Sequence, residues 1–452
     1  MTEPTSRLPA GSHSGSTELV DSLPRSVDNE KVIGVEDTLV QATVTAAPDF
    51  PEGGLRAWMT VAGAWLALFA TYGYLNAFGV YQDYYTRIYL NNTTPSAVSW
   101  IGSFQFFVPL VIGMFAGHLF DIGYFHVMMI TGSVLFTFSL FMLSLAKEHQ
   151  YYQIFLSQGL GMGLGLGMVF TPSVSIPSHY FRRRRGVAVG IALSGSSLGA
   201  VIHPILLNNL FNKPSVGFAG GTRADGYLVI GMLVVANLLM RPRLPPRKKG
   251  DASTSLMAGL RPLFTDAAYL LTITGSFFCQ VSVFFPAFYI QLYAIEHGID
   301  TNLAFYSVAI LNGASIIGRI VLNIAADRVG AFNLVIPCSF ICAGLMFSML
   351  GITNSASMIL VAIFYGIFSG AYLALIVATI GVLARSPAEM GLRVGVALST
   401  NSFAALVGIP IAGALLSKDF HWVRAIIFSA ICVAIGTAFF IAGKIALNRG
   451  LR

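Results

Sequence analysis

The chain has 452 residues, of which 55% are hydrophobic and only 10% charged, and its mean hydropathy is +0.72. A water-soluble domain carries about 25% charged residues, so this composition excludes a soluble globular fold and implies apolar surface facing lipid. The net charge of +7 calls for no nucleic-acid partner, because basic residues beside membrane spans meet anionic membrane lipid headgroups.

Residues 1–51 are rich in Ser, Thr, Pro and acids, with no aromatic before Phe50. Such a segment cannot bury enough apolar area to offset its ordering entropy, so it is expected to be a disordered cytoplasmic tail. No signal-peptide pattern precedes the first long apolar run, which is expected to act as its own insertion signal. Twelve apolar stretches then follow, each near the roughly 20 residues that a helix needs to cross a hydrocarbon core. They run over 57–82, 97–120, 126–146, 151–175, 186–210 and 222–240, then 269–291, 303–326, 332–352, 356–384, 391–416 and 422–447. The pattern predicts an all-α membrane protein of twelve transmembrane helices. Six lie within 52–240 and six within 269–447, joined by a basic, Pro-rich cytoplasmic connector over 241–268 and followed by a short tail, 448–452.

Lys and Arg concentrate in alternate loops, in Arg182 to Arg185, Arg241 to Lys249, Arg261, Arg328, Arg385 and Arg393 among others. The opposite loops hold only Arg87, Lys147, Lys213, Arg223, Lys418 and Arg424. The positive-inside rule then puts both termini in the cytoplasm. Asn91 and Asn92 begin overlapping sequons in the first outer loop, where a glycan is expected. Cys279, Cys338, Cys342 and Cys432 lie in apolar helices without metal or disulfide spacing, so they read as packing residues, and no metal or cofactor is expected.

An internal repeat appears at an offset of about 205 residues. Gly186 to Ser194, reading GVAVGIALS, matches Gly391 to Ser399, reading GLRVGVALS, and Pro204 is echoed by Pro410. Gly161 and Gly165 match Gly366 and Gly370, and Asp121 after the second span matches Asp327 after the eighth. These matches imply a six-plus-six duplication.

That layout, with an acidic residue closing the second and eighth spans, resembles the major facilitator superfamily, and more narrowly its monocarboxylate porter family in the fungal branch. Glu52-Gly53-Gly54 with Trp58 resembles that family's entry into the first span. FRRRRGVAVGIALSGSSLG over 181–199, NLLMRPRLPP over 237–246, and Gly318-Arg319 through Gly330 resemble its later motifs. The resemblance implies two six-helix bundles that move by alternating access, with the span-eight arginine binding substrate.

An ionisable residue inside a membrane helix is a functional candidate, because its desolvation must be offset by a partner or a wet cavity. Arg319 stands eight residues before Asp327, about 12 Å from the helix end. Asn312, Ser315 and Asn323 share its stripe. A guanidinium there offers a fixed charge with forked donors that suit a carboxylate. Where the family's proton-coupled lactate carriers have an aspartate and a span-one lysine, this chain has Ser315 and Asn76; Tyr72 matches their span-one tyrosine. All twenty Asp and Glu residues are placed in the tail, in loops or at helix ends, which leaves His203 and Asp83 as the candidates for proton coupling. Asp121, Asp327 and Arg328 are expected to gate the inner face, the two aspartates accepting bonds from facing helix N-termini or pairing with arginines of Arg182 to Arg185.

HExxH, GxSxG and Walker patterns are absent, so no catalytic residue is assigned. The sequence thus reads as a secondary active or facilitative transporter that moves a small organic, carboxylate-bearing solute across the plasma membrane. A second reading is an efflux transporter of a specialised metabolite, since both charged lactate-carrier positions are lost. A third is a non-transporting nutrient sensor on the same scaffold. Oligomeric state is not legible.

Overall fold

The computed structural model describes residues 50–93, 95–243, 256–384, 390–416 and 421–450. The expected tail up to residue 49, Arg385, Lys418 and the stretch 244–255 of the connector lie outside the described residues. Within them all regular structure is helical, and twelve helices are long and apolar enough to cross a membrane. They are α1 Leu55–Tyr89, α2 Ala97–Asp121, α3 Phe125–Ser144, α4 Tyr151–His179, α5 Arg185–Phe211 and α6 Gly217–Leu239. The second set is α7 Ala267–Glu296, α8 Thr301–Val329, α9 Ala331–Gly351, α10 Ser355–Val382, α11 Leu392–Leu416 and α12 Trp422–Gly450.

Polar residues start several of these helices by satisfying free backbone N–H groups. Asp266 accepts from the Tyr269 amide at 3.1 Å and Asp300 from the Leu303 amide at 3.0 Å. Asn354 and Ser357 form a reciprocal capping box at α10. Large apolar side chains such as Phe138, Val134, Phe340 and Leu360 remain exposed along the helices, as lipid-facing surfaces require.

Two ends differ from expectation, for a common reason. α1 continues beyond residue 82 to Tyr89, because Tyr81, Tyr85 and Tyr89 bury their rings against Phe218. α6 starts at Gly217 rather than 222, so Asp225 lies inside the helix and is fully buried. This corrects the expectation that every carboxylate sits in a loop or at a helix end. Hydropathy falls at polar residues, whereas a helix continues wherever its side chains find partners.

α1 packs on α5 and α6, α2 on α4, and α3 on α4 and α6. α7 packs on α11 and α12, α8 on α10, and α9 on α10 and α12. The second set therefore repeats the first with every label raised by six. Two seams join the sets, α5 against α8 and α2 against α11.

Candidate substrate cavity and its closed face

Arg319 lies in a π-helical turn of α8, Gly318–Leu322. A Cβ on Gly318 would stand 1.8 Å from the Ile367 carbonyl oxygen, so only glycine lets α8 lie this close to α10. The arginine side reaches α5 instead. Its Nη1 donates to the Leu193 carbonyl at 2.7 Å and to the Ser196 hydroxyl at 2.6 Å. Nε is buried without a partner, and no carboxylate contacts the group among the described residues. One hydrogen-bonding nitrogen and neutral partners leave the charge itself uncompensated, an arrangement that costs free energy in a low-dielectric site.

The other expected binding residues converge on it. Tyr72, Asn76, Asn312, Ser315 and Arg319 line one cavity with Ser196. Ser315 Oγ bonds the Ser197 hydroxyl at 2.7 Å across the seam, and Asn312 and Asn76 each donate to a carbonyl one turn back in their own helix. The Tyr72 ring stacks on Phe170 at 5.1 Å and meets Phe106 edge-on at 6.5 Å. Through Asn76, Asn312, Phe284 and Ala287 the cavity adjoins a second one walled by Phe78, Phe106, Phe288 and Phe305. The phenyl walls of the second cavity suit an apolar, aromatic ligand body beside the Arg319 charge.

The face that carries residue 50 and the end of α12 is shut along the α5–α8 seam. Asp327 accepts from the amides of Gly186 at 2.9 Å and Val187 at 3.0 Å, where the N-terminus of α5 presents free donors and a positive dipole end. A Cβ on Gly190 would stand 2.3 Å from the Arg319 carbonyl oxygen. Close approach of α5 and α8 therefore needs that glycine. Arg328 is exposed and its side chain makes no hydrogen bond among the described residues, and Asp121 closes α2 at the same face. Beside the seam, the Glu52 carboxylate accepts from the amides of Arg182, Arg183 and Arg184 at 2.8, 2.6 and 3.1 Å. Partial burial raises its pKa, but those three amides and the Arg183 charge outweigh it and hold the carboxyl below the usual range.

Neither expected proton-coupling residue lines the cavity. Asp83 is exposed and pairs with Arg87 one turn on. His203 is fully buried, with Nδ1 2.8 and 3.0 Å from the two oxygens of Asp225 and Nε2 3.2 Å from the Phe69 carbonyl oxygen. Sequence reasoning missed Asp225, because the expected bounds at 210 and 222 hide an offset that the observed helices share. His203 precedes the end of α5 by as many residues as Asp225 follows the start of α6, and antiparallel neighbours joined by a short loop bring such positions to one depth. Arg393, counted as a loop charge, is fully buried and pairs with Asp266 at 2.9 Å, its guanidinium 5.0 Å from the Tyr269 ring centroid. Asn91 and Asn92 are exposed in the turn after α1.

Twelve apolar helices in two sets of repeated packing, with a cavity at the seam between the sets, define a multi-pass membrane transporter. The chain belongs to the Major Facilitator Superfamily, whose family model matches residues 57–385. It is 39% identical over 387 residues to the aspyridones efflux protein of Emericella nidulans, covering 86% of this chain and 77% of that protein. It is 35% identical to the MFS-type transporter opdF of Penicillium oxalicum, over 92% and 96% of the two chains. Among solved structures, the Escherichia coli fucose:proton symporter matches with a TM-score of 0.66 at 17% identity, over 85% of this chain and 98% of that one, a likeness of fold. The protein is a transporter and not an enzyme.

Proposed function

We propose that this transporter exports a specialised metabolite with an aromatic body and one acidic group, by alternating access of the cavity to the two sides of the plasma membrane. The observation that carries the reading is the buried Arg319 guanidinium, which meets only neutral partners and opens on a cavity walled by phenyl rings. An anion entering there would supply the missing countercharge and bring apolar surface for the rings to cover. Likeness to an efflux protein named for aspyridones favours export over uptake, and the phenyl rings that wall the larger cavity favour an aromatic metabolite over a lactate-like acid. The monocarboxylate-porter motifs support the anionic group, and the lysine and arginine bias supports cytoplasmic termini, with Asn91 and Asn92 then outside and open to glycosylation.

Asp121, Asp327 and Arg328 belong in this reading to the gate of the cytoplasmic face. Asp327 holds α5 in the closed form and lets go when the cavity turns inward. Export of labelled aromatic acids and of their neutral amides from cells that express the chain tests the proposal. Acids are expected to leave at least about tenfold faster than matched amides, and Arg319→Ala to erase that preference. Equal export of acid and amide by the parent chain would overturn the reading.

A further inference from the structure

A second buried charge site lies outside the cavity, between α5, α6 and α1, and its hydrogen bonding fixes a proton count. The side chains of His203 and Asp225 are both 0% exposed. His203 Nε2 faces the Phe69 carbonyl, which can only accept, so Nε2 carries a hydrogen. Nδ1 faces both Asp225 oxygens at 2.8 and 3.0 Å, so a hydrogen must stand between ring and carboxylate there as well. With both hydrogens present the pair is neutral, whether the shared one rests on nitrogen or on oxygen. Without the shared proton, a ring lone pair would point at an ionised carboxylate in a site sealed from water, at a large desolvation cost.

We propose that His203 and Asp225 form a proton-binding site that gives up and regains one proton in each transport cycle, exchanged for the exported metabolite; its role in the cycle rests on the transport reading above. The surroundings leave the proton as the one ligand the site can take. From α1 the pair faces the phenols of Tyr74 and Tyr81, with Tyr85 beyond them. From α6 it faces Thr222, 3.4 Å from the Tyr81 hydroxyl, and from α3 the ring of Phe136 closes on Tyr74. The Tyr74 and Tyr81 hydroxyls are hydrogen-bonded to each other. No Lys or Arg bonds to either member of the pair among the described residues.

The same two helices reach the cavity. Phe69 begins the π-helical turn Phe69–Gly73 of α1, whose Tyr72 lines the cavity with Arg319. On α5, Pro204 follows His203 directly and lines the larger cavity, while Ser196 holds the Arg319 guanidinium. Proline lacks the amide that would hold this turn of α5, and single π-turns inside helices recur at functional sites. Parting of α1 and α5 would break the Nε2 bond and admit water. The bridging proton would then pass to that water, leaving the pair with one negative charge until a proton returns.

The test uses the full chain in liposomes, with membrane potential clamped at zero and labelled naphthalene-2-sulfonate as a permanently charged probe. An acid interior is expected to drive probe accumulation of about tenfold per pH unit, as exchange for one proton requires. Asp225→Asn and His203→Gln should abolish that accumulation while probe counterflow without a gradient stays detectable, which also shows that they fold. Undiminished accumulation by both variants, or accumulation driven by an alkaline interior, would overturn the proposal. Should the parent chain not carry the probe at all, the transport reading fails, and protons released on an alkaline jump decide the site: one more per chain from the parent than from Asp225→Asn supports it, and equal release refutes it.

Discussion

The two seams that join the halves are related by the internal repeat, yet they differ in chemistry. The α5–α8 seam is polar, with Arg319 on Leu193 and Ser196, Ser315 on Ser197, and Asp327 on the start of α5. The α2–α11 seam is largely apolar, with Phe107 against Phe403 at 5.5 Å and the Ser399 hydroxyl donating to the Leu110 and Val111 carbonyls. At the repeat offset set by Asp121 and Asp327, Arg319 corresponds to Gly113. The charge was placed on one side only. A seam of directional bonds can be broken and remade at defined partners, whereas a seam of dispersion contacts slides at little cost, so the polar seam is the one suited to bind and to latch.

That contrast sets the order of expected effects. Arg319→Ala should lower transport by about 100-fold, roughly 3 kcal/mol, and Arg319→Lys should recover only part of it, because an ammonium keeps the charge and loses the fork. Uptake or export in vesicles reads both. Gly190→Ala should come next, since its Cβ would stand 2.3 Å from a carbonyl oxygen; transport is expected to fall at least about tenfold as the seam is held apart. Gly113→Ala on the other seam meets its nearest atom at 3.5 Å and should change little. Alkylation of a cysteine placed near residue 187 reports whether the closed face has opened in each. Similar losses from the two glycine variants would break the contrast between the seams.

Smaller effects are expected at the rim of the closed face. Asp327→Asn keeps the shape but removes the charge from two charge-assisted bonds, so about 1–2 kcal/mol of bias toward the closed form should be lost. A few-fold rise in the same alkylation rate would show it. Glu52 has a lowered pKa when folded, so its contribution is present above the ordinary glutamate range and fades only as pH falls through the lower folded value. Glu52→Gln should remove that acid-side slope from a thermal-melting series and leave melting at neutral pH nearly as before.

Much of the fold was legible because lipid imposes a simple rule, one long apolar helix per crossing, and all twelve crossings follow it. The cavity residues were legible for a related reason: a charged side chain such as Arg319 stands out against an apolar helix, and Asn312 and Ser315 fall on its stripe. What escaped notice lay between helices. Asp225 looked like a helix-end residue because Thr222 and Arg223 depress hydropathy around it, and Arg393 looked like a topology charge because its partner Asp266 is far away in the chain. The three amides that receive Glu52 carry no side-chain pattern at all.

The central claim is that Arg319 awaits an anion. Calorimetric titration of the purified chain with naphthalene-2-carboxylate and with its uncharged amide tests it directly, each repeated on Arg319→Gln. The account predicts that the parent binds the acid at least about tenfold more tightly than the amide, about 1.4 kcal/mol, and that the variant binds both alike. Equal affinity of the parent for the two, or an acid preference that survives in the variant, would contradict it.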